Sequence, residues 1–295
     1  MRFISPVQEE ALFLNSTLSY AENEKHRIAR FAAQDWPTAG LVENRIWKSD
    51  HYGVNERAKT QQYSFRLLRY WYVERLLAAE RARLGRPLNV LEIGVDRGQM
   101  KAFVDGATSG QPPYARWDAA DVEPQHEPLA AAGYARCLTL DLDDADSLAI
   151  FVNQHAREYD AVVLLHVLEH ITKPERAVTF LSATLRAGGV VIGGFPVLPS
   201  GIARIRERQL RRNAAPFGHV SAFSPRRVRK MAERAGLATE YLSGAFGIRA
   251  SGSALENHAW WFKLNIAFGA LFPGWPGEAY WQLRKTGSRK QMVRP

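Results

Sequence analysis

A chain of 295 residues with 46% apolar and 23% charged side chains can bury a sizeable core, in one large domain or two small ones. Its single cysteine, Cys137, excludes an internal disulfide and a cysteine-rich metal site. The formal charge of +9 is uneven: between Gly201 and Ala235 ten Lys/Arg stand against two Glu, an Arg-rich stretch suited to phosphate or another anion.

Residues 1–86 read as a helical, aromatic-rich extension. The opening "MRFISPVQEEALFLNSTL" lacks the charged-then-apolar order of a signal peptide, because Glu9 and Glu10 interrupt it, and a cytoplasmic location is expected. In "QQYSFRLLRYWYVERLLAAERARL", Phe65, Leu68, Tyr72, Leu76 and Leu77 recur at helical spacing, and Gly85, Arg86 and Pro87 stop the helix.

From residue 88 short apolar runs alternate with helical stretches. Strands are expected at "LNVLEIG" (88–94), "ARWDAADV" (115–122), "ARCLTLDL" (135–142), "YDAVVLLHV" (159–167) and "GGVVIGGFP" (188–196). The last two are almost wholly apolar, as a sheet covered on both faces requires. "PERAVTFLSATLRA" (174–187) reads as a helix with Pro174 in its first turn. Further on, "SPRRVRKMAERAG" (224–236) is a helix capped by Ser224 and closed by Gly236. "ATEYLSGAFG" and "EAYWQLRK" supply two more strands. The pattern predicts an α/β, doubly wound, mostly parallel sheet.

The segment 255–276 reads as a helix and a Pro/Gly turn. Its apolar run, "AWWFKLNIAFGALF" (259–272), is broken by Lys263 and Asn265, so no bilayer span is expected and at most a peripheral membrane contact. The Arg-rich stretch carries only Phe217 and Phe223 as aromatics, too few to predict nucleic-acid binding.

"LLHVLEH" (164–170) poses the main chemical question. His166-x-x-Glu169-His170 matches a zinc-hydrolase signature, which needs His166 and His170 as ligands on one helix and Glu169 as base. The apolar run Ala161–Leu165 instead predicts a strand reaching His166, which splits that pair. Around it, acids stand at successive strand ends, Glu92 in the first strand and Asp121 and Asp141 after the second and third, with His166 at the end of the fourth. Such carboxylates suit a ligand rich in hydroxyl and amino donors.

In this order the motifs resemble those of class I S-adenosylmethionine-dependent methyltransferases. "VLEIGVDRG" looks like their first motif and "DVEP" like their ribose-binding acid. "YDAVVLLHVLEHITKPERAV…LRAGGVVIGGFP" looks like their fourth and fifth motifs. "GHVSAFSPRRVRKMAERAGL" is similar to a stretch before the sixth strand in one bacterial subgroup. The resemblance spans 88–240. It implies a Rossmann-like seven-stranded methyltransferase domain at 87–295, with insertions at 196–223 and 255–276.

Residue by residue, the resemblance implies that Glu92 and the turn from Gly94 to Gly98 hold the methionine part of the cofactor. Asp121, with Val122 beside it, would take the ribose hydroxyls. Asp141 would take the adenine amino group, with Leu142 beside the ring, and His166 would sit at the methionine end. Asp96 departs from the family, standing where a second glycine is usual. His166, His170 and His219 are the candidate catalytic bases. In related quinone O-methyltransferases a similar E-x-x-E-H segment accompanies a divalent cation. Here Glu169 and His170 match it and are the candidate ligands, but His166 replaces the first Glu, and a magnesium-like ion prefers oxygen donors, so a divalent cation is not the favoured expectation.

The expected reaction is O-methylation of a sugar, polysaccharide or other small hydroxyl acceptor. A quinone-like aromatic acceptor is the alternative. The first 86 residues and the 196–223 insertion are expected to cover the strand ends and shape the acceptor pocket. Arg204, Arg208 and Arg211, with Arg206 and Arg212 between and beside them, would grip a phosphorylated acceptor.

Overall fold

In the computed structural model, which describes residues 63–95, 98–108, 110–213, 218–245 and 259–286, seven strands form one sheet. They are β1 (Leu88–Ile93), β2 (Tyr114–Asp121), β3 (Cys137–Thr139), β4 (Tyr159–Leu165), β5 (Leu185–Val197), β6 (Leu237–Gly244) and β7 (Gly277–Lys285). Their order is β3-β2-β1-β4-β5-β7-β6. Every neighbouring pair among the first five strands is parallel, and β7 runs antiparallel to both β5 and β6.

Period-2 alternation explains why both faces are apolar. Val90, Val163 and Ile192 point into one layer; Leu91, Val162 and Val191 point into the other. The first layer is closed by α1 (Tyr63–Leu84) and α2 (Gln99–Ala107), through Val73, Leu77, Met100 and Val104. The second is closed by α4 (Ala145–Gln154), α5 (Pro174–Thr184) and α7 (Pro225–Arg234), through Leu148, Leu181 and Met231. Full burial of each such side chain is worth roughly 1.5–3 kcal/mol before entropy is counted. A short α3 (His126–Ala131) precedes β3, α6 (Ser200–Arg212) follows β5, and α8 (Ala259–Leu271) lies between β6 and β7.

Three elements differ from expectation. The described part of the N-terminal extension, α1, packs chiefly on a face of the sheet and reaches the strand ends through Arg69, which pairs with Glu278; residues 1–62 lie outside the described residues. β3 is only three residues long, because β2 is its sole partner and pairing stops where Asp121 meets Thr139. β5 begins at Leu185, ahead of the glycine pair, and the helix before it ends at Thr184. Pairing of Leu185 with Tyr159 overrides the helical tendency of that segment, and a register shift between Tyr159 and Ala161 absorbs the extra residues.

α7 keeps its predicted caps: the Ser224 side chain accepts the Arg227 N–H, and Pro225 opens the first turn. α8 packs its Gly269 against the backbone of Gly244 and Ala245, an approach that a Cβ at Gly269 would block. Its other face leaves Trp260, Leu264 and Leu271 exposed. Among the described residues no helix is long and apolar enough to cross a membrane.

Candidate active site

The carboxyl ends of the parallel strands carry the chemistry, as an open α/β sheet dictates. β1 runs into Gly94, whose φ of +77° suits glycine and where any Cβ would strike the Val167 side chain. The turn after β1 therefore closes on the turn after β4. The next amide, Val95 N–H, donates to Asp121 Oδ2 at 2.9 Å, so the acid ending β2 braces the turn ending β1. Among the described residues Asp121 Oδ1 has only a 3.5 Å contact with the Glu123 amide. Gly98, at φ +72°, opens α2, and Asp96 lies outside the described residues.

Asp141 stands just past β3, where its Oδ1 accepts the amides of Asp143 (2.8 Å) and Asp144 (3.4 Å). Val122 is exposed, whereas Leu142 packs into the core instead of facing solvent beside Asp141. Glu92 is buried, and its Oε2 accepts from Trp117 Nε1 (2.9 Å) and Tyr134 Oη (2.7 Å). Burial pushes its carboxyl up to about 7, against the pull of Tyr134, Trp117 and Lys101.

His166 follows β4 in a left-handed conformation, φ +56°, with its N–H on the Gly194 carbonyl at 2.8 Å. Its Nδ1 is 3.0 Å from Glu169 Oε1, and its Nε2 is 3.5 Å from Glu278 Oε2. Glu278 also accepts from Arg69 (3.2 Å) and from the Tyr280 hydroxyl (2.6 Å). Burial and Arg69 depress the His166 pKa, yet Glu278 and Glu169 outweigh them and the net shift is upward. Glu169 Oε2 is buried with no hydrogen-bond partner among the described residues.

Glu169 also ties down the chain after α6, since its carbonyl accepts the amides of Val220 (2.8 Å) and Ser221 (3.0 Å). That strap brings His219 edge-on to His170, ring centroids 4.7 Å apart. His170 Nδ1 donates to the Gly218 carbonyl at 3.2 Å. Burial lowers the His219 pKa, helped by His170, His166 and Arg206 and opposed by Glu169. Glu169, His170 and His219 each bring one ligand-type atom within 4.8 Å of the others. The zinc arrangement drawn from the sequence does not form. His166 lies outside the single 3₁₀ turn Leu168–His170, and His219 takes its place in the cluster.

A cavity of about 350 Å³ opens beside this cluster, where Val197 of β5 pairs with Gly277 of β7. Its polar lining is Glu169, Arg206, His219, Ser221 and Glu278, and its apolar lining includes Val197, Leu210 and Phe223. Phe223 is stacked on Phe195 at 3.9 Å, which fixes that wall. Of the arginines on α6, Arg206 lines the cavity, while Arg204 and Arg208 are exposed outside it. Arg211 pairs with Glu207 at 2.6 Å and donates to the Thr172 carbonyl at 3.2 Å. Arg69 and Glu278 escaped the sequence reading. The one available signal was a carboxylate opening the largely apolar strand "EAYWQL".

A profile of a methyltransferase-domain family matches residues 65–242, more than half of the chain. The CurJ carbon methyltransferase structure aligns with a TM-score of 0.51 at 13% identity, over 97% of this chain and 72% of that one. A candidate sarcosine dimethylglycine methyltransferase from Galdieria sulphuraria aligns with a TM-score of 0.50 at 15% identity, over 83% and 97%. The candidate methyltransferase complexed with the Trm112 activator of Haloferax volcanii gives 0.50 at 12% identity, over 78% and 94%. At such identities these likenesses establish the fold. No curated protein sequence matches the chain. The strand order and the long profile match agree, and the chain belongs to the methyltransferase-domain family, whose methyl donor is S-adenosylmethionine.

Proposed function

We propose that the protein methylates a hydroxyl of a ring-sized acceptor bound in the cavity between α6 and the ends of β5 and β7. The observation that carries this reading is the lining: His219 and Glu169 face a space of about 350 Å³ next to the His166 turn. That volume is at the small end of ligand sites and suits one ring. A sugar, polysaccharide or other small hydroxyl compound is the acceptor expected from the sequence. A quinone-like aromatic ring is the second reading, favoured by the apolar wall of Val197, Leu210 and Phe223.

The residues at the strand ends fit the donor. Asp121 Oδ1 is available to the ribose hydroxyls, because Oδ2 is engaged by Val95. Asp141 keeps Oδ2 for the adenine amino group while Oδ1 holds its own loop. The turn from Gly94 to Gly98 would receive the methionine part, with Glu92 behind it. When bound, S-adenosylmethionine supplies a methyl on a sulfonium, which departs with the C–S electron pair as the acceptor oxygen takes the methyl.

This chain's own residues orient the acceptor and receive its proton. His219, whose pKa is shifted downward, takes the hydroxyl proton. Glu169 orients the hydroxyl through Oε2, and His166 fixes Glu169 through Nδ1. His166 carries a raised pKa between two carboxylates and is a poor base near neutral pH.

Transfer of labelled methyl from S-adenosylmethionine to sugar and phenol panels tests the reading, with mass spectrometry locating the methyl. His219→Ala should lower kcat roughly 10²–10⁴-fold and leave S-adenosylhomocysteine binding unchanged. A product methylated on nitrogen or carbon overturns the reading.

A further inference from the structure

Charge in the acceptor cavity is sorted by depth. Two of its carboxylates are almost fully covered, Glu169 at 2% exposure and Glu278 at 4%. Both oxygens of Glu278 are engaged, by Arg69 and by Tyr280. Glu169 is among the residues lining the cavity; its Oε1 faces His166, and its Oε2 is buried with no hydrogen-bond partner among the described residues. A buried carboxylate oxygen without a donor is unfavourable, so this position calls for a donor on the ligand.

Arg206 is exposed, which puts it at the mouth. The acid on the same helix, Glu207, is shared by Arg211 (2.6 Å) and Arg227 (2.9 Å), and Arg227 also holds Glu175. Among the described residues Arg206 has no ion-pair partner, and it is the only arginine lining the cavity. A planar guanidinium in that setting is suited to a phosphate or carboxylate, which it can grip through two N–H groups at once. Between the two charges the wall is apolar: Val197, Leu210 and Phe223.

The geometry points to an acceptor that is itself an anion, its hydroxyl donating to Glu169 Oε2 at the buried end and its phosphate or carboxylate resting on Arg206 at the mouth. This rests on reading the cavity as the acceptor site. It replaces the multi-arginine grip expected from the sequence with one selective residue. Neutral analogues of the same shape leave Arg206 unanswered and bind more weakly. Arg204 and Arg208 contribute only to the general field that draws anions toward α6.

Calorimetry on the full chain preloaded with S-adenosylhomocysteine tests this, with 4-hydroxyphenyl phosphate, 4-hydroxybenzoate and neutral hydroquinone as probes. Glucose 6-phosphate and glucose form the sugar arm. The wild type should bind at least one charged probe about tenfold or more tighter than its neutral counterpart, a difference typical of one charged contact. The phosphate and carboxylate arms separate the two sources of charge. Arg206→Gln should close that gap, Arg206→Lys should keep part of it, and Glu169→Gln should weaken all hydroxyl probes while sparing the charge preference. Equal binding of charged and neutral probes, survival of the preference in Arg206→Gln, or no saturation by any anionic probe overturns the proposal. The preloading titration and methyl transfer to hydroquinone report separately on the methyltransferase reading.

Discussion

His166 and Glu169, three residues apart, meet at 3.0 Å although no helix joins them, and the same imidazole comes within 3.5 Å of Glu278 from β7. The left-handed backbone at His166 is what turns its ring between the two acids, and such strain persists only where surrounding contacts hold it. The raised pKa of His166 means that the folded protein keeps the imidazole proton longer than the unfolded chain does. Its stabilisation is complete below the ordinary histidine range and disappears as pH rises through the raised folded value. Asparagine tolerates this backbone, so His166→Asn is a suitable comparison. The wild type should exceed it in urea midpoint by more at pH 6 than at pH 9. A difference that stays constant with pH would show that His166 is neutral throughout. Glu278→Gln, which leaves both Arg69 and His166 short of a charge, should cost about 3–5 kcal/mol.

Glu92, in β1, predicts a second pH dependence. Its carboxyl is raised to about 7, chiefly because it is buried. The unfolded chain releases that proton near the ordinary carboxylate value, and the folded protein resists until about 7. Stability attributable to this group therefore falls as pH rises across that interval and levels off above it, by about 3 kcal/mol in all. Glu92→Gln keeps an oxygen for Trp117 and Tyr134 but cannot ionise. Denaturation at pH 5 and pH 8 should show the wild type losing ground to this variant. Parallel losses in both proteins would assign the pH effect elsewhere.

These two sites also mark what the sequence made legible. β4 and β5 are near-continuous apolar runs and β1 and β2 are short runs rich in apolar residues, so Asp121, Asp141 and His166, just past or at the ends of β2, β3 and β4, were readable by counting. The ends of β3 and β5 were not, because pairing and not propensity sets them: Thr139 stops at Asp121, and Leu185 is drawn out of a helix by Tyr159. Glu278 and Arg69 were harder still, lying 209 residues apart and meeting only through the packing of α1 on β7. The choice among the arginines of α6 needed the helix's rotation about its axis. A run of alternating Arg does not disclose which one faces inward.

Asp121 allows cofactor recognition to be separated from turn stability. One oxygen holds the Val95 amide, and the other is nearly free for a ligand. Asp121→Asn retains a carbonyl oxygen for Val95 but presents an amide where a ribose hydroxyl needs an acceptor. Asp121→Ala removes both functions. The asparagine variant should keep its melting temperature within about 2–4 °C of wild type, the shift expected from no more than about 1 kcal/mol in a domain of this size. Its S-adenosylhomocysteine affinity should nevertheless fall roughly tenfold or more, equivalent to about 1.4 kcal/mol. The alanine variant should lose affinity and also unfold earlier, since the Gly94 turn no longer has its brace. Calorimetry alongside thermal melts distinguishes the two effects. Should the asparagine variant bind S-adenosylhomocysteine as tightly as the wild type, Asp121 serves the turn alone, and the ribose must be held by other groups at the strand ends.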